Sequence, residues 1–252
     1  MPIKKKSILG GRTLSVDVGG SGIKASVLGS DGALLHQALR IPTPYPCTPK
    51  VLVKAMAGLA GGLPAFGRAA VGFPGFVQGG RIVTAPHFGN KAWEGFDLAA
   101  ALGSRLGVPV RVLNDADMQG LAAIQGRGLE LVITLGTGVG TALFREGDLM
   151  PHLELAHHPL HKGRSYNQHL GDKALKKAGK KKWNQRLESS LEVLRSLFHC
   201  DMLYVGGGNA RKIQFKLGKG TKRIPNLDGI RGGHQVWKLS GELFDGRARP
   251  SA

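Results

Sequence analysis

The sequence predicts an α/β protein, and three observations predict it. Apolar runs at residues 13–28, 131–144 and 202–208 each have strand character and contain or end in a glycine cluster. Between them, segments of helix period alternate with segments of strand period, the pattern of a sheet covered by helices. Hydrophobic residues make up 42% of the 252-residue chain and charged residues 21%, a balance that builds a core and excludes a disordered chain.

In the first run Leu14, Val16 and Val18 alternate before Gly19, Gly20 and Gly22, and Ile23, Ala25 and Val27 alternate after them. That spacing predicts strand, turn and strand. Residues 49–63 read as a helix, 69–72 as a strand and Phe73-Pro-Gly75 as a turn. A helix over 98–106 leads to a strand over 108–113, which opens onto Asn114-Asp-Ala-Asp117 and a helix over 118–125. The second run has strand character on both sides of Gly136, Gly138 and Gly140, so one device is used twice. The third ends in Gly206, Gly207 and Gly208, with Asn209 placed to cap a following helix. Before it, residues 188–198 form an amphipathic helix with Leu191, Leu194, Leu197 and Phe198 on one face. Residues 215–225 read as a basic loop with a short strand, 227–243 as a closing helix and 247–252 as a frayed tail.

Lys and Arg number 35 against 17 Asp and Glu, a formal charge of +18. Such an excess concentrates anions at the surface and points to a polyanionic partner. Residues 162–186 hold Lys162, Arg164, Lys173, Lys176, Lys177, Lys180, Lys181, Lys182 and Arg186, with Asp172 as the one acid. Cys47 and Cys200 are the only cysteines, too few for a disulfide framework or a four-cysteine zinc site. Glycine reaches 39 residues without a triplet period, which excludes collagen. No apolar stretch is long enough to span a bilayer, and Gly10, Gly11 and Arg12 break the apolar character of the segment after the basic start. The expected compartment is the cytoplasm.

Backbone N–H groups can converge on an anion only where no Cβ blocks the approach, and such turns often need a positive φ. Gly19, Gly20, Ser21 and Gly22 form one candidate cradle, and Gly136, Thr137, Gly138 and Gly140 another. Neither matches a P-loop or a dinucleotide fingerprint, because a strand rather than a helix follows. A tight hairpin without a ligand is the plain alternative for either loop alone. Two similar loops favour phosphate.

Six motifs in order resemble the ROK family of sugar kinases. Asp17-Val-Gly-Gly-Ser-Gly-Ile-Lys24 and Leu135-Gly-Thr-Gly-Val-Gly140 are similar to its two phosphate motifs, and Val205-Gly-Gly-Gly208 to its nucleotide-side motif. Gly72-Phe-Pro-Gly75, Asn114-Asp115 and Glu154-Leu-Ala-His157 follow the order of its sugar-site motifs. The resemblance implies a two-lobed actin/hexokinase-like (ribonuclease H-like) fold with a central cleft. It places the lobes at 1–113 and 114–252, with a terminal helix near 228–243 able to pack back on the first. It also implies a homodimer and a magnesium ion held by Asp17, directly or through water, which would relieve the repulsion between that carboxylate and phosphate. The family's zinc cysteines are missing, and Ala156 stands where a glycine is usual. Both the missing cysteines and the short chain resemble the polyphosphate glucokinase branch, which implies glucose as acceptor and inorganic polyphosphate, in some members also ATP, as donor.

Each assignment has a competitor. The resemblance makes Asp115 the general base for the sugar hydroxyl, whereas its position before a helix also suits an N-cap. Asp117 is the expected cap. Gly75, Asn114, Asp115, Glu154 and His157 are the implied sugar site, with His87 or Asn90 as a further contact. Trp93 reads as core. Lys24 either neutralises phosphate charge or flanks the hairpin. His152, His157, His158, His161 and His169 lack a zinc spacing, so sugar contacts are the better reading for Glu154 and His157. The basic run is a solvated face, a nucleic-acid patch or a polyphosphate track. Its only aromatics, Tyr166 and Trp183, argue against nucleic acid. Competing functions are an ATP-dependent hexokinase acting on another hexose or amino sugar, and a basic polyanion-binding protein without catalysis. A repressor is disfavoured, because the first glycine motif leaves no room before it for a helix-turn-helix.

Overall fold

The computed structural model describes Leu9, residues 11–225 and residues 228–245. The basic start, the tail at 247–252 and the first residue of the expected closing helix lie outside them. The described chain divides into two units, residues up to 122 together with 229–245, and residues 123–228.

The first unit is built on strands β1 (Thr13–Val18), β2 (Gly22–Leu28), β3 (Leu39–Pro42), β4 (Arg68–Phe73) and β7 (Val110–Asn114), in the order β3-β2-β1-β4-β7. A two-strand ribbon, β5 (Val77–Gln78) with β6 (Arg81–Ile82), lies apart from this sheet. β1 and β2 form the antiparallel hairpin that their alternation predicts, while β1, β4 and β7 run parallel. One face carries Leu14, Val16, Ile23, Ala25 and Val27, all fully buried with Leu52 and Met56 of helix α1 (Pro49–Ala60). The short helix α2 (Asn90–Trp93) and helix α3 (Leu98–Leu106) complete that layer. Trp93 is core as expected, fully buried and donating from Nε1 to Cys47 O at 2.9 Å. Capping sets the helix ends: Thr48 accepts from Val51 N before α1, and Asp97 accepts from Ala100 N before α3.

Helix α4 (Asp115–Ala123) starts three residues earlier than its apolar pattern suggests. Its cap is Asn114, whose Oδ1 accepts from Ala116 N at 2.7 Å and Asp117 N at 3.3 Å. The expected cap, Asp117, is instead a buried residue of the helix itself. Division of the chain at 122/123 rather than 113/114 follows from α4, since Met118 packs against Gly72 of β4.

The second unit repeats the strand order. Strands β8 (Leu129–Leu135), β9 (Val139–Arg145), β10 (Asp148–Leu149), β13 (Met202–Gly206) and β14 (Thr221–Arg223) lie as β10-β9-β8-β13-β14, with β8, β13 and β14 parallel. A ribbon of β11 (Pro159–His161) with β12 (Arg164–Ser165) precedes helices α5 (Tyr166–Leu170), α6 (Asp172–Ala178) and α7 (Lys180–Phe198). α7 begins at Lys180, eight residues before the expected 188, because Trp183 extends its buried face: fully buried, it donates from Nε1 to Leu170 O at 2.8 Å. Leu187, Leu191 and Leu194 continue that face, whereas Leu197 is exposed and does not belong to it. Buried Glu130 accepts from the N–H groups of Gln125, Gly126 and Arg127 and from the Tyr204 hydroxyl, closing the turn into β8.

The closing segment is shorter than expected. Helix α8 (Asp228–Gln235) gives way to 3-10 turns at Val236–Lys238 and Gly241–Phe244. It clusters with the first unit, on the face that carries Ser15, whose hydroxyl donates to Ile230 O at 2.6 Å. A Cβ at Gly232 would strike the Met118 carbonyl and one at Gly233 the Ser15 side chain, so glycine sets this approach. Arg111 then holds the segment's end, donating to Val236 O and Leu239 O between the rings of Trp237 and Phe244.

Candidate active site

In open α/β sheets, ligands gather at the carboxyl ends of parallel strands. In the first unit those ends carry Asp17 (β1), Gly75 just past β4, and Asn114 with Asp115 (β7 into α4). Asp17 pairs in register with Gly72, and a Cβ at Gly72 would stand 3.2 Å from the Asp115 Cα, so glycine lets the start of α4 approach β4 closely. Asn114, 6% exposed, donates from Nδ2 to Gly75 O at 3.1 Å while its Oδ1 caps α4. One amide therefore joins the turn after β4 to the start of α4. Asp115 accepts from Ala116 N at 2.9 Å through Oδ1, which orients a half-buried carboxylate in the first turn of a helix, where the dipole favours negative charge. Asn90 accepts from Ala85 N at 2.8 Å and so braces the loop that carries His87.

The first glycine loop closes through Gly19 N to Gly22 O at 2.9 Å. Two residues outside the expected site hold its carbonyls: Thr43 Oγ1 donates to Gly19 O at 2.6 Å and Tyr45 Oη to Gly20 O at 2.7 Å. Lys24 lies directly opposite Asp17 and pairs with it at 3.3 Å.

In the second unit, Gly136 N bonds Gly138 O at 2.9 Å, and the loop carbonyls are again tied from outside. The Asp172 N–H, at the start of α6, donates to Gly136 O at 3.0 Å and Thr137 O at 3.3 Å. Asn209 donates from Nδ2 to Gly136 O at 3.2 Å and from its N–H to Leu135 O at 2.9 Å. It does not cap a helix with its side chain, as the sequence suggested, but joins the third glycine cluster to the second loop. Asn167 accepts from Val139 N at 2.6 Å. Of the loop glycines, Gly207 alone has a left-handed φ, +83°, with its missing Cβ against the Leu135 backbone. Gly19, Gly20, Gly22, Gly136, Gly138 and Gly140 do not; close approach explains glycine at Gly19, against the Gly22 carbonyl, and at Gly22, against Arg40 and the Ile41 carbonyl, whereas a Cβ at Gly136 would meet open space.

Glu154 stands between two imidazoles, His152 Nε2 at 3.6 Å and His157 Nε2 at 3.7 Å. His161 and His169 pack with ring centroids 5.7 Å apart. Burial, with Arg186, His161 and Arg164 nearby, holds His169 below the usual imidazole range. Among the described residues no group of three or more His, Cys, Asp or Glu is placed to hold a metal ion. Asp17 offers one hard carboxylate, which fits magnesium, an ion that takes one or two carboxylates and fills its remaining positions with water and substrate phosphate.

The basic run folds as the turn at 162–163, β12, α5, α6 and the start of α7, with Lys173, Lys176, Lys177 and Lys180 to Lys182 exposed. Lys176 bonds Asp172 at 2.7 Å, and that bond leads the causes that lower the Asp172 carboxyl. Tyr166 and Trp183 are buried, so the run presents no aromatic platform for bases.

Two units of one strand order, each with a glycine loop after its first parallel strand, define a phosphate-handling α/β protein of the actin/hexokinase-like class. The chain belongs to the ROK family: the profile described as ROK family matches residues 13–153. It is 32% identical over 208 residues to the polyphosphate glucokinase of Mycobacterium tuberculosis strain H37Rv, covering 78% of this chain and 77% of that one. The crystal structure of inorganic polyphosphate/ATP-glucomannokinase from Arthrobacter sp. strain KM matches with a TM-score of 0.81 at 31% identity, over 90% of this chain and 98% of that one. A ROK family glucokinase from Streptomyces griseus, solved with glucose and AMPPNP, shares the fold, with a TM-score of 0.72 at 21% identity over 88% of this chain and 97% of that one.

Proposed function

We propose that the chain transfers the terminal phosphoryl group of inorganic polyphosphate to the 6-hydroxyl of glucose, with ATP as the candidate second donor. The observation that carries the donor is the seating of α6. Its first N–H, that of Asp172, bonds two carbonyls of the second glycine loop, so a helix bearing Lys173, Lys176 and Lys177 starts at the loop proposed as the phosphate cradle. Lys180, Lys181 and Lys182 then fill the first turn of α7 with no acid beside them. Positive charge there opposes the helix dipole, a cost on the order of 0.3–1 kcal/mol per residue when exposed. A polyanion crossing that surface turns the cost into binding.

On the acceptor side, Asp115 takes the proton of the 6-hydroxyl as phosphoryl transfer proceeds. Asn114 and the Gly75 turn shape the wall beside it. Glu154 and His157 bond vicinal sugar hydroxyls. The glycine loops at 19–22 and 136–140 bind donor phosphates, with Gly206, Gly207 and Gly208 on the nucleotide or polyphosphate side. Lys24 balances Asp17 and the donor. Magnesium, held by Asp17 directly or through water, would neutralise donor oxygens. A homodimer is the assembly expected from the resemblance. Among the described residues no helix is long and apolar enough to cross a membrane.

A panel of donors and sugars on the purified protein tests this reading. Glucose 6-phosphate formed from polyphosphate is the expected product. Turnover with ATP alone would move the donor to the nucleotide, a preference for another hexose would move the acceptor, and no turnover with any pair would leave a polyanion-binding protein.

A further inference from the structure

Edge strand β3 carries a cation with no part in the reading above. Arg40 lies directly opposite Lys24, which lies directly opposite Asp17, so the three share one sheet face in a row across β3, β2 and β1. The row continues to Gly72, which adds no side chain. The Arg40 guanidinium bends over Gly22 of the first loop: a Cβ there would stand 3.0 Å from Nε and 3.2 Å from Nη2. Lys24 is committed to Asp17, whereas Arg40 is exposed and forms no ion pair among the described residues. Thr43 and Tyr45, three and five residues further on, hold the Gly19 and Gly20 carbonyls. One short segment thus sends three side chains to the first glycine loop, two to fix it and one to bring charge.

We propose that Arg40 is a donor-binding residue, contacting a phosphate of the polyphosphate chain next to the one at the first glycine loop. This rests on the donor reading above and adds a residue to it. A guanidinium presents a planar fork of donors that matches phosphate oxygens, often two at a time. Its place over Gly22 fits a second contact along a chain, because successive phosphates each carry about one negative charge. Edge strands also use charged residues to prevent sheets from pairing. Lysine or glutamate would meet that need equally well, whereas only a cation serves the donor.

The experiment uses the full chain as wild type, R40K, R40Q and R40E, each checked for folding by circular dichroism. Calorimetry with tripolyphosphate, without glucose, reads binding apart from turnover. R40Q is expected to weaken binding about 5- to 20-fold, R40E more, and R40K less than about threefold. The log–log dependence of affinity on salt should become shallower by about one unit in R40Q. In turnover assays the polyphosphate KM should rise by more than kcat falls, with the glucose KM unchanged. Wild-type affinity and salt slope in R40E would overturn the assignment, as would a wild-type protein that does not bind tripolyphosphate. Loss of the kinase reading itself would show as wild type that binds tripolyphosphate yet phosphorylates no sugar, and the R40 series would still decide the site.

Discussion

The hairpin β1–β2 and the hairpin β8–β9 occupy the same place in two sheets of identical strand order, yet they carry different chemistry. One residue before the end of β1 stands Asp17, paired with Lys24; one residue before the end of β8 stands Thr134, opposite Gly140. The first loop is fixed by side chains, Thr43 and Tyr45, and is flanked by two cations and an acid. The second is fixed by the start of α6 and by Asn209, with no charged side chain in the loop. A shared fold therefore supplies two cradles, and the residues beside each decide which chemistry it serves. On the reading proposed above, the first would serve a metal ion and charged contacts to the donor, the second backbone contacts to donor phosphates.

Asp115 gives the sharpest contrast: β7, which leads into it, matches β14 in the second sheet, and β14 is followed by Ile224 and Pro225 rather than by an acid. Asp115→Asn keeps the shape of the side chain but cannot accept the proton. Its kcat should fall about 10²–10⁴-fold with glucose affinity nearly unchanged by calorimetry. Rates near those of the wild type would assign the base elsewhere. Next in size is the matched pair Asp17→Asn and Thr134→Val. The first should cost about 10–100-fold in activity and raise the magnesium needed for half-maximal rate, and the second should do neither. Equal losses would mean that the two loops are equivalent after all.

A smaller effect separates the donors. Replacing Lys180, Lys181 and Lys182 together by Gln should raise the polyphosphate KM several-fold and flatten its salt dependence by about two units, leaving any ATP KM nearly as it was. Equal change with both donors, or none with either, would make these lysines a solvated face.

Much of this comparison was legible in the sequence. Both hairpins, the three glycine clusters and the parallel strands before Asn114 and after Cys200 followed from period-2 alternation and glycine position. What periodicity could not show was contact across long separations. β3 is four residues of alternating half-buried and exposed side chains, too short and too polar to register, yet it brings Arg40, Thr43 and Tyr45 to the first loop. Asn209 read as a helix cap because its local context suits one, and its bond to Gly136 spans 73 residues. The early start of α7 was masked by three lysines that disfavour a helix N-terminus, and buried Trp183 overrides them. Leu197 fitted the apolar stripe but falls in the last turn, beyond the layer that covers the rest.

The smallest expected effect concerns one histidine in each unit. His234 of α8 and His169 of α5 each have a buried Nδ1 with no hydrogen-bond partner. Burial lowers the His234 pKa, with Lys238 and Arg68 adding to the shift and Asp31 opposing it. His169 is lowered by burial and by Arg186, His161 and Arg164. For a histidine whose folded pKa lies below its unfolded value near 6.5, the unfolded chain takes up the proton first as pH falls. Stability is therefore intact above about pH 6.5 and declines below it, until the folded value is reached. The two sites differ in enclosure: His234 is 7% exposed and packs its ring against Gly32, a left-handed glycine at φ +81°, whereas His169 is half-buried. A charged ring at position 234 has no acceptor for Nδ1 among the described residues. Denaturant unfolding of wild type, His234→Gln and His169→Gln between pH 5 and 7.5 separates the contributions. His234→Gln should flatten the acid side of the curve most and His169→Gln less. Parallel curves for all three proteins would show that neither ring is held neutral by its unit.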